Sequence, residues 1–169
     1  LNKFLSDDMV VDLPKIIQQL LIKFIILPFR SPKTLKAYKK IWSSAGSPLI
    51  ENTAKIAHKL SKKNDWNVKI AMRYQNPSID SAINEFKNDG ISKIYVLPLY
   101  PHHAMSTTET TKKYVRNRVK KIYPSLQIKY IQPFFDHPKY IDSLSKSIIP
   151  FLDKGYDKLI FSYHGIPER

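Results

Sequence analysis

The sequence contains no cysteine. That excludes a disulfide framework, a thiolate metal site, an iron–sulfur cluster and a thiol nucleophile. Any metal must be held by histidine, carboxylate, tyrosine or a group that a substrate brings. Glycine is scarce, with four residues against twelve prolines. No two glycines stand at phosphate-loop spacing, so a Gly-rich phosphate cradle is excluded as well. Long hydrophobic runs are missing too. The longest apolar stretch, 20–29, is interrupted by Lys23 and falls short of the ~20 residues that span a bilayer. No signal peptide is visible, and the first residue is Leu1 rather than methionine. The expected location is cytoplasmic, with peripheral membrane contact through residues 1–30 as the reading open beside it.

Acidic residues are also few: 28 Lys and Arg stand against 14 Asp and Glu, a net charge of +14. Such a balance favours an anionic partner, whether nucleic acid, anionic lipid or a carboxylate-bearing small molecule. The cations are mostly lysine, 23 against 5 arginines, and they are scattered. Forked recognition of phosphate and base edges usually falls to arginine. With no concentrated basic stripe and no recognition motif, nucleic acid is not the expected partner. A solvated lysine surface accounts for most of the charge. Apolar residues at 43% and charged residues at 25% of the 169 positions describe an ordinary globular chain. One domain, or one domain and the start of a second, fits that length.

Residues 1–30 carry a helical pattern. Ile16, Ile17, Leu20, Leu21, Phe24 and Ile25 fall on one face. Asp12 with Pro14 predicts a helix start, and Pro28 with Pro32 a stop. The face reads either as a helix docked on the body or as an apolar lip at a hydrophobic pocket or membrane surface. Beyond it the text alternates. Segments 68–73, 93–99, 127–132 and 158–163 are short runs rich in Ile, Val and Tyr and read as strands. Helical stretches 50–63, 78–89, 107–121 and 138–152 lie between and around them. The alternation predicts an α/β fold, a parallel sheet with flanking helices.

In open parallel sheets ligands bind at the carboxyl ends of the strands. Those ends carry Arg73 and Tyr74; Tyr100, Pro101, His102 and His103; Pro133, Phe134 and Phe135; and His164, Gly165, Ile166 and Pro167. Aromatic or imidazole groups beside proline, without a Gly-rich turn or a leading carboxylate, describe a wall for a large flat apolar ligand. His164 follows the apolar segment 160–163 and precedes a sharp turn. A neutral imidazole there can accept a proton near neutral pH or ligate Fe(II); a structural histidine is the competing reading. His102 and His103 are adjacent on an extended segment and point opposite ways, so at most one can face a given metal. No His-x-x-x-His pattern exists, and a zinc site is not expected. His58, among lysines, reads as a surface residue. Arg30 suits a carboxylate at the mouth of an apolar cleft, or else serves as a cation at a helix end. Ser106, Thr107 and Thr108 before Glu109 read as a helix N-cap.

Taken together, these segments resemble the ferrochelatase family. The resemblance rests most on Ser162-Tyr163-His164-Gly165-Ile166-Pro167-Glu168-Arg169. It extends through Leu27-Pro28-Phe29-Arg30-Ser31-Pro32-Lys33, Tyr38, Gly46-Ser47-Pro48-Leu49, Ala71-Met72-Arg73-Tyr74 and Leu97-Pro98-Leu99-Tyr100-Pro101-His102. It implies insertion of Fe(II) into a free-base porphyrin, protoporphyrin IX, to form protohaem. His164 matches the active-site histidine, an iron ligand, an acceptor of pyrrole protons, or both. Arg30, Tyr38 and Ser47 match positions that line the porphyrin cleft and meet its propionates. Arg73 and Tyr74 match active-site residues near the macrocycle. No tightly bound cofactor is implied, since Fe(II) is a substrate.

The resemblance further implies a chelatase-like, three-layer Rossmann-like fold. Residues 1–153 would form a first α/β domain lacking its first strand, and 154–169 would open a second. Relatives carry there a carboxylate that faces the histidine, so a fragment ending at Arg169 would hold an incomplete site and be inactive alone. Two rivals stand beside this reading: a related chelatase acting on coproporphyrin or inserting Co(II), and a non-catalytic basic module that binds anions or lipid.

Overall fold

A computed structural model describes residues 1–11, 13–44, 46–152, 155–162 and 165. Its centre is a pair of parallel strands, β1 (Lys93–Val96) and β2 (Gln127–Tyr130), in register from Lys93 opposite Gln127 to Val96 opposite Tyr130. Side chains alternate across a strand. Ile94, Val96, Ile128 and Tyr130 therefore turn to one face, while Lys93, Tyr95, Gln127 and Lys129 are exposed on the other. Two helices cover the inner face, α5 (Ile79–Asn88) and α6 (Thr110–Ile122). Ile79 and Ile83 on α5 and Val115 and Val119 on α6 are spaced i, i+4 and bury together with Ile94 and Leu126. This is an α/β arrangement of parallel strands with flanking helices, as the alternation of patterns predicts.

Local chemistry sets the ends of α5. The Ser78 hydroxyl accepts the Ser81 N–H at 3.0 Å and caps the start, with Asp80 in the first turn. At the other end Gly90 takes φ +69°. Its N–H donates to Lys87 O and that of Ile91 to Phe86 O. This left-handed closure is one a side chain would disfavour.

The N-terminal third is helical: α1 (Asn2–Leu5), α2 (Lys15–Leu20), a π-helical segment (Leu21–Ile26) and α3 (Leu27–Lys39). Further along stand α4 (Pro48–Asn64) and, after β2, α7 (Pro138–Leu152). The sequence predicts a stop at Pro28 and Pro32, yet α3 runs through both. A proline removes one N–H donor and crowds the carbonyl four residues back. The wider π turn just ahead relaxes that crowding at Pro28, so the helix loses bonds rather than ending. Asp12, half of the predicted helix start, lies outside the described residues, and α2 begins after Pro14.

The apolar face of this arm also points otherwise than a docked helix requires. Ile16, Ile17, Leu20, Phe24 and Ile25 are exposed, whereas Gln18 and Ile22 are buried. The reason is polar. The Gln18 amide donates to Leu5 O (3.0 Å) and Val11 O (3.2 Å), and so holds the N-terminal turn against the opposite side.

Two predicted strands do not form among the described residues. In 68–73 the only bridge is Met72 with Ser78, and the Met72 N–H donates to Pro77 O at 2.7 Å. Residues 158–162 are exposed and without ladder. β-propensity marks a side-chain set that fits a pleated surface, but a strand exists only where a neighbour completes the ladder.

Candidate functional site

Two segments, the N-terminal turn and the loop at 73–74, meet the start of α6. The Arg73 guanidinium donates through Nη2 to Asp7 Oδ2 at 2.5 Å. Its Nε and Nη2 also reach Thr110 Oγ1 at 3.3 and 3.2 Å. Thr110 Oγ1 donates to the same Asp7 oxygen, and so does the Tyr74 hydroxyl at 3.0 Å. The Tyr114 and Tyr74 rings lie 4.0 and 4.4 Å from the central guanidinium carbon, within cation–π range. Phe4 meets Tyr74 edge-on, centroids 5.3 Å apart.

Burial and charge act together here. Desolvation alone would raise the Asp7 carboxyl. Hydrogen bonds from Thr110, the Met9 N–H and Tyr74, with the Arg73 charge, outweigh it and hold the group below the ordinary carboxylate range. The Tyr74 phenol is pushed up to about 12, first by burial and further by its bond to the Asp7 carboxylate, against the opposing contributions of Thr110 and Arg73. At neutral pH the cluster is one carboxylate, one guanidinium and a protonated phenol. Arg73 lines two clefts, one of about 300 Å³ reaching Lys15 and Lys113, and one of about 380 Å³ reaching Lys3, Gln75 and Asn76.

Past the carboxyl ends of the strands, the Phe134 N–H donates to Pro101 O at 3.0 Å and ties the two strand-end loops together. The His102 ring stacks on Phe135, centroids 5.6 Å apart and planes 18° apart. His103 Nε2 lies 3.1 Å from Glu109 Oε1. The two adjacent histidines thus serve different neighbours, as their alternation requires. Lys112 reaches the same Glu109 oxygen at 3.1 Å. Its hydrogen bond outweighs burial and, with His103, lowers the Glu109 carboxyl. The Ser106–Thr108 hydroxyls do not cap a helix. A π-helical segment, Met105–Glu109, starts after Ala104 without a side-chain cap. Thr107 and Thr108 donate instead to Ala104 O and His102 O, both at 3.4 Å.

The residues singled out from sequence are only partly gathered. Arg73 and Tyr74 stand together in the cluster. Arg30 and Tyr38 share α3, both exposed, with Tyr38 edge-on to Trp42 at 6.3 Å. Ser47 precedes α4, and its carbonyl accepts the Glu51 N–H at 3.0 Å. His58 is exposed. His164, and Tyr163 before it, lie outside the described residues, so no geometry is attached to them. Among the described residues no three His, Asp or Glu side chains converge on a common metal position. Sequence reasoning missed Asp7, Thr110 and Tyr114. Nothing local marks Asp7, whose partners stand 66 and 103 residues away.

A parallel α/β domain whose strand-end loops stack an imidazole on an aromatic ring, with a part-buried arginine at the start of α6, fits the class that binds ligands at the carboxyl ends of its strands. Comparison with known proteins narrows the class. A family model described as Ferrochelatase matches residues 1–169. Similar curated proteins are the ferrochelatases of Porphyromonas gingivalis (39% identical over 169 residues, 99% of this chain and 48% of that protein), Pseudomonas fluorescens biotype C (40% over 172, 100% and 50%) and Opitutus terrae (39% over 172, 100% and 50%). The chain belongs to the ferrochelatase family. It spans about half the length of these relatives.

Proposed function

We propose that the protein inserts Fe(II) into protoporphyrin IX, the reaction that yields protohaem. The observation that carries this reading is the family match over residues 1–169. In balanced form, two pyrrole N–H bonds break, the ring nitrogens bind Fe(II), and two protons leave. Fe(II) is a substrate, and no tightly bound cofactor is required.

The cleft, its cationic rim and the proton acceptor each have a matching residue. A porphyrin is a broad apolar disc with carboxylates on one edge, and needs an aromatic and aliphatic cleft with cations at the rim. Arg30, Tyr38 and Ser47 meet the propionates, and Arg73 with Tyr74 bounds the macrocycle. His164 takes the pyrrole protons one at a time on its single free lone pair, and that lone pair ligates iron only while it carries no proton, since a neutral imidazole is a competent base and ligand near neutral pH. The protons pass on to an acidic group facing it. Ring distortion, driven by remote contacts, exposes nitrogen lone pairs to the metal.

The arm supports peripheral membrane contact in the same reading. Ile16, Ile17, Leu20, Phe24, Ile25 and Phe29 are exposed beside Lys15, Lys23, Arg30 and Lys33, the pattern of an interfacial helix. No helix among the described residues is long and apolar enough to cross a membrane.

His164→Ala in the intact natural protein tests the chemistry. Iron insertion should fall by two or more orders of magnitude, roughly the loss of a general base, with porphyrin binding retained by Soret titration. Near-wild-type insertion would remove His164 from the mechanism.

A further inference from the structure

Arg73 is held by one edge. Its Nε and Nη2 are occupied by Thr110 and Asp7, and Nη1 carries no hydrogen bond among the described contacts. The side chains of Arg73 and Asp7 retain only 16% and 8% exposure, so the pair is largely out of water. A guanidinium with five donors in a rigid fork can serve two acceptors on different edges. An internal carboxylate on one edge therefore fixes the plane in which the other edge is offered. The same carboxylate oxygen collects Thr110 and Tyr74, so Tyr74 is oriented by the same atom.

Asp7 is itself tied down from its own side. Its Oδ1 accepts the Met9 N–H at 3.0 Å, Gln18 bonds the backbone on either side of it at Leu5 and Val11, and Phe4 lies against Tyr74. The segment that carries Asp7 leads directly into α2 and α3, where Arg30 and Tyr38 stand. A single carboxylate thus joins the arm to the loop that bears Arg73 and Tyr74.

We propose that Asp7 is a positioning residue: by holding one edge of the Arg73 guanidinium and the Tyr74 hydroxyl, it presents both to the tetrapyrrole in one fixed orientation and locks the arm in place relative to them. The substrate part of this inference rests on the porphyrin reading above. The alternative role for such a carboxylate is to occupy Arg73 in competition with a substrate carboxylate. The two predict opposite changes in affinity.

The test compares the intact natural protein with its Asp7→Asn variant. Iron insertion is assayed at varied protoporphyrin IX, and amide hydrogen exchange is followed over residues 2–11 and 72–79. Removing one charged partner from a buried pair should raise the porphyrin KM roughly tenfold, with kcat within about a factor of two and faster exchange in both segments. Asp7→Glu, which keeps the charge, should restore most of the KM, a rescue that a requirement for bulk alone would not show. An unchanged or lowered KM overturns the proposal, and so does unchanged exchange. If Asp7→Asn does not fold, Thr110→Val replaces it, with a KM rise of roughly threefold for the lost hydroxyl contacts to Arg73 and Asp7; no rise overturns the proposal. If the unaltered protein binds no porphyrin, the functional reading fails by itself and exchange alone decides: faster exchange in both segments upholds the clamp, and equal exchange overturns it.

Discussion

Phe4 stands edge-on to Tyr74, with ring centroids 5.3 Å apart and planes at 88°. This apolar contact accompanies the Asp7 bonds in joining the first helical turn to the loop that carries Arg73. An aromatic pair of this geometry contributes about 1 kcal/mol beyond its buried area. Phe4→Ala should therefore loosen the N-terminal segment while sparing the sheet. Amide exchange should rise over residues 2–11 and stay unchanged over 93–96. Unchanged exchange over residues 2–11 would show that Phe4 does not secure the arm.

The core between the strands and α5 and α6 is small, and its members count heavily. Ile83 is 2% exposed and packs within the cluster that includes Ile79, Ile94, Val115, Val119 and Leu126. Ile83→Ala removes buried methyl and methylene groups and leaves a cavity, a loss of about 3 kcal/mol. Urea unfolding should show a lowered midpoint with an unchanged slope. A loss under about 1 kcal/mol would mean that the site collapses around the gap.

Acid stability follows from Asp7. Its carboxyl titrates below the ordinary value of 3.8 when folded. The folded state therefore binds the proton less readily than the unfolded chain. The resulting stability is present above the unfolded value and is lost as pH falls through the folded one. Asp7→Asn should flatten the fall in stability below about pH 4, measured by denaturant midpoints at stepped pH. A variant that tracks the parent curve would place the acid limb elsewhere.

At the alkaline end the sign reverses. Tyr74 titrates at about 12 against an ordinary 10.0, so the folded state favours the protonated phenol. That contribution is present below pH 10 and disappears as pH rises through 12. Among ten tyrosines, phenolate absorbance should show a late step near pH 12 that Tyr74→Phe removes. A late step that survives the substitution would belong to another phenol, such as Tyr130, which burial also raises.

Arg118 and Asp80 close α6 onto α5 through two bonds, Nε to Oδ1 at 2.6 Å and Nη2 to Oδ2 at 2.5 Å. Both side chains keep about a third of their exposure, so solvent screens the pair. Asp80→Asn should cost under about 1 kcal/mol, and the difference should shrink at 1 M salt. A larger loss that salt does not touch would show that solvent does not screen the pair.

The covered face of the sheet was legible in order: the runs at 93–99 and 127–132 became strands, and the i, i+4 spacing in 78–89 and 107–121 became the helices that cover them. Arg73 and Tyr74 could be singled out because they follow an apolar run, where α/β sheets open their clefts. What stood outside local pattern was missed. The 68–73 run has the right side chains for a strand, but its ladder is a single bridge at Met72. Pro28 and Pro32 read as stops, yet α3 runs through both. The arm displays its apolar face because an uncharged Gln18, invisible to hydrophobic pattern, bonds the chain on the opposite side.

Periodicity and motif spacing are properties of neighbouring residues, so the chain alone determined the two paired strands, the helices that cover them and the family its motifs resemble. Only the tertiary structure decided that Asp7 meets Arg73 across 66 residues, and Thr110 across 103. Such a pairing depends on the path of the chain through space. A carboxylate carries no mark of its partner until folding removes the water between them.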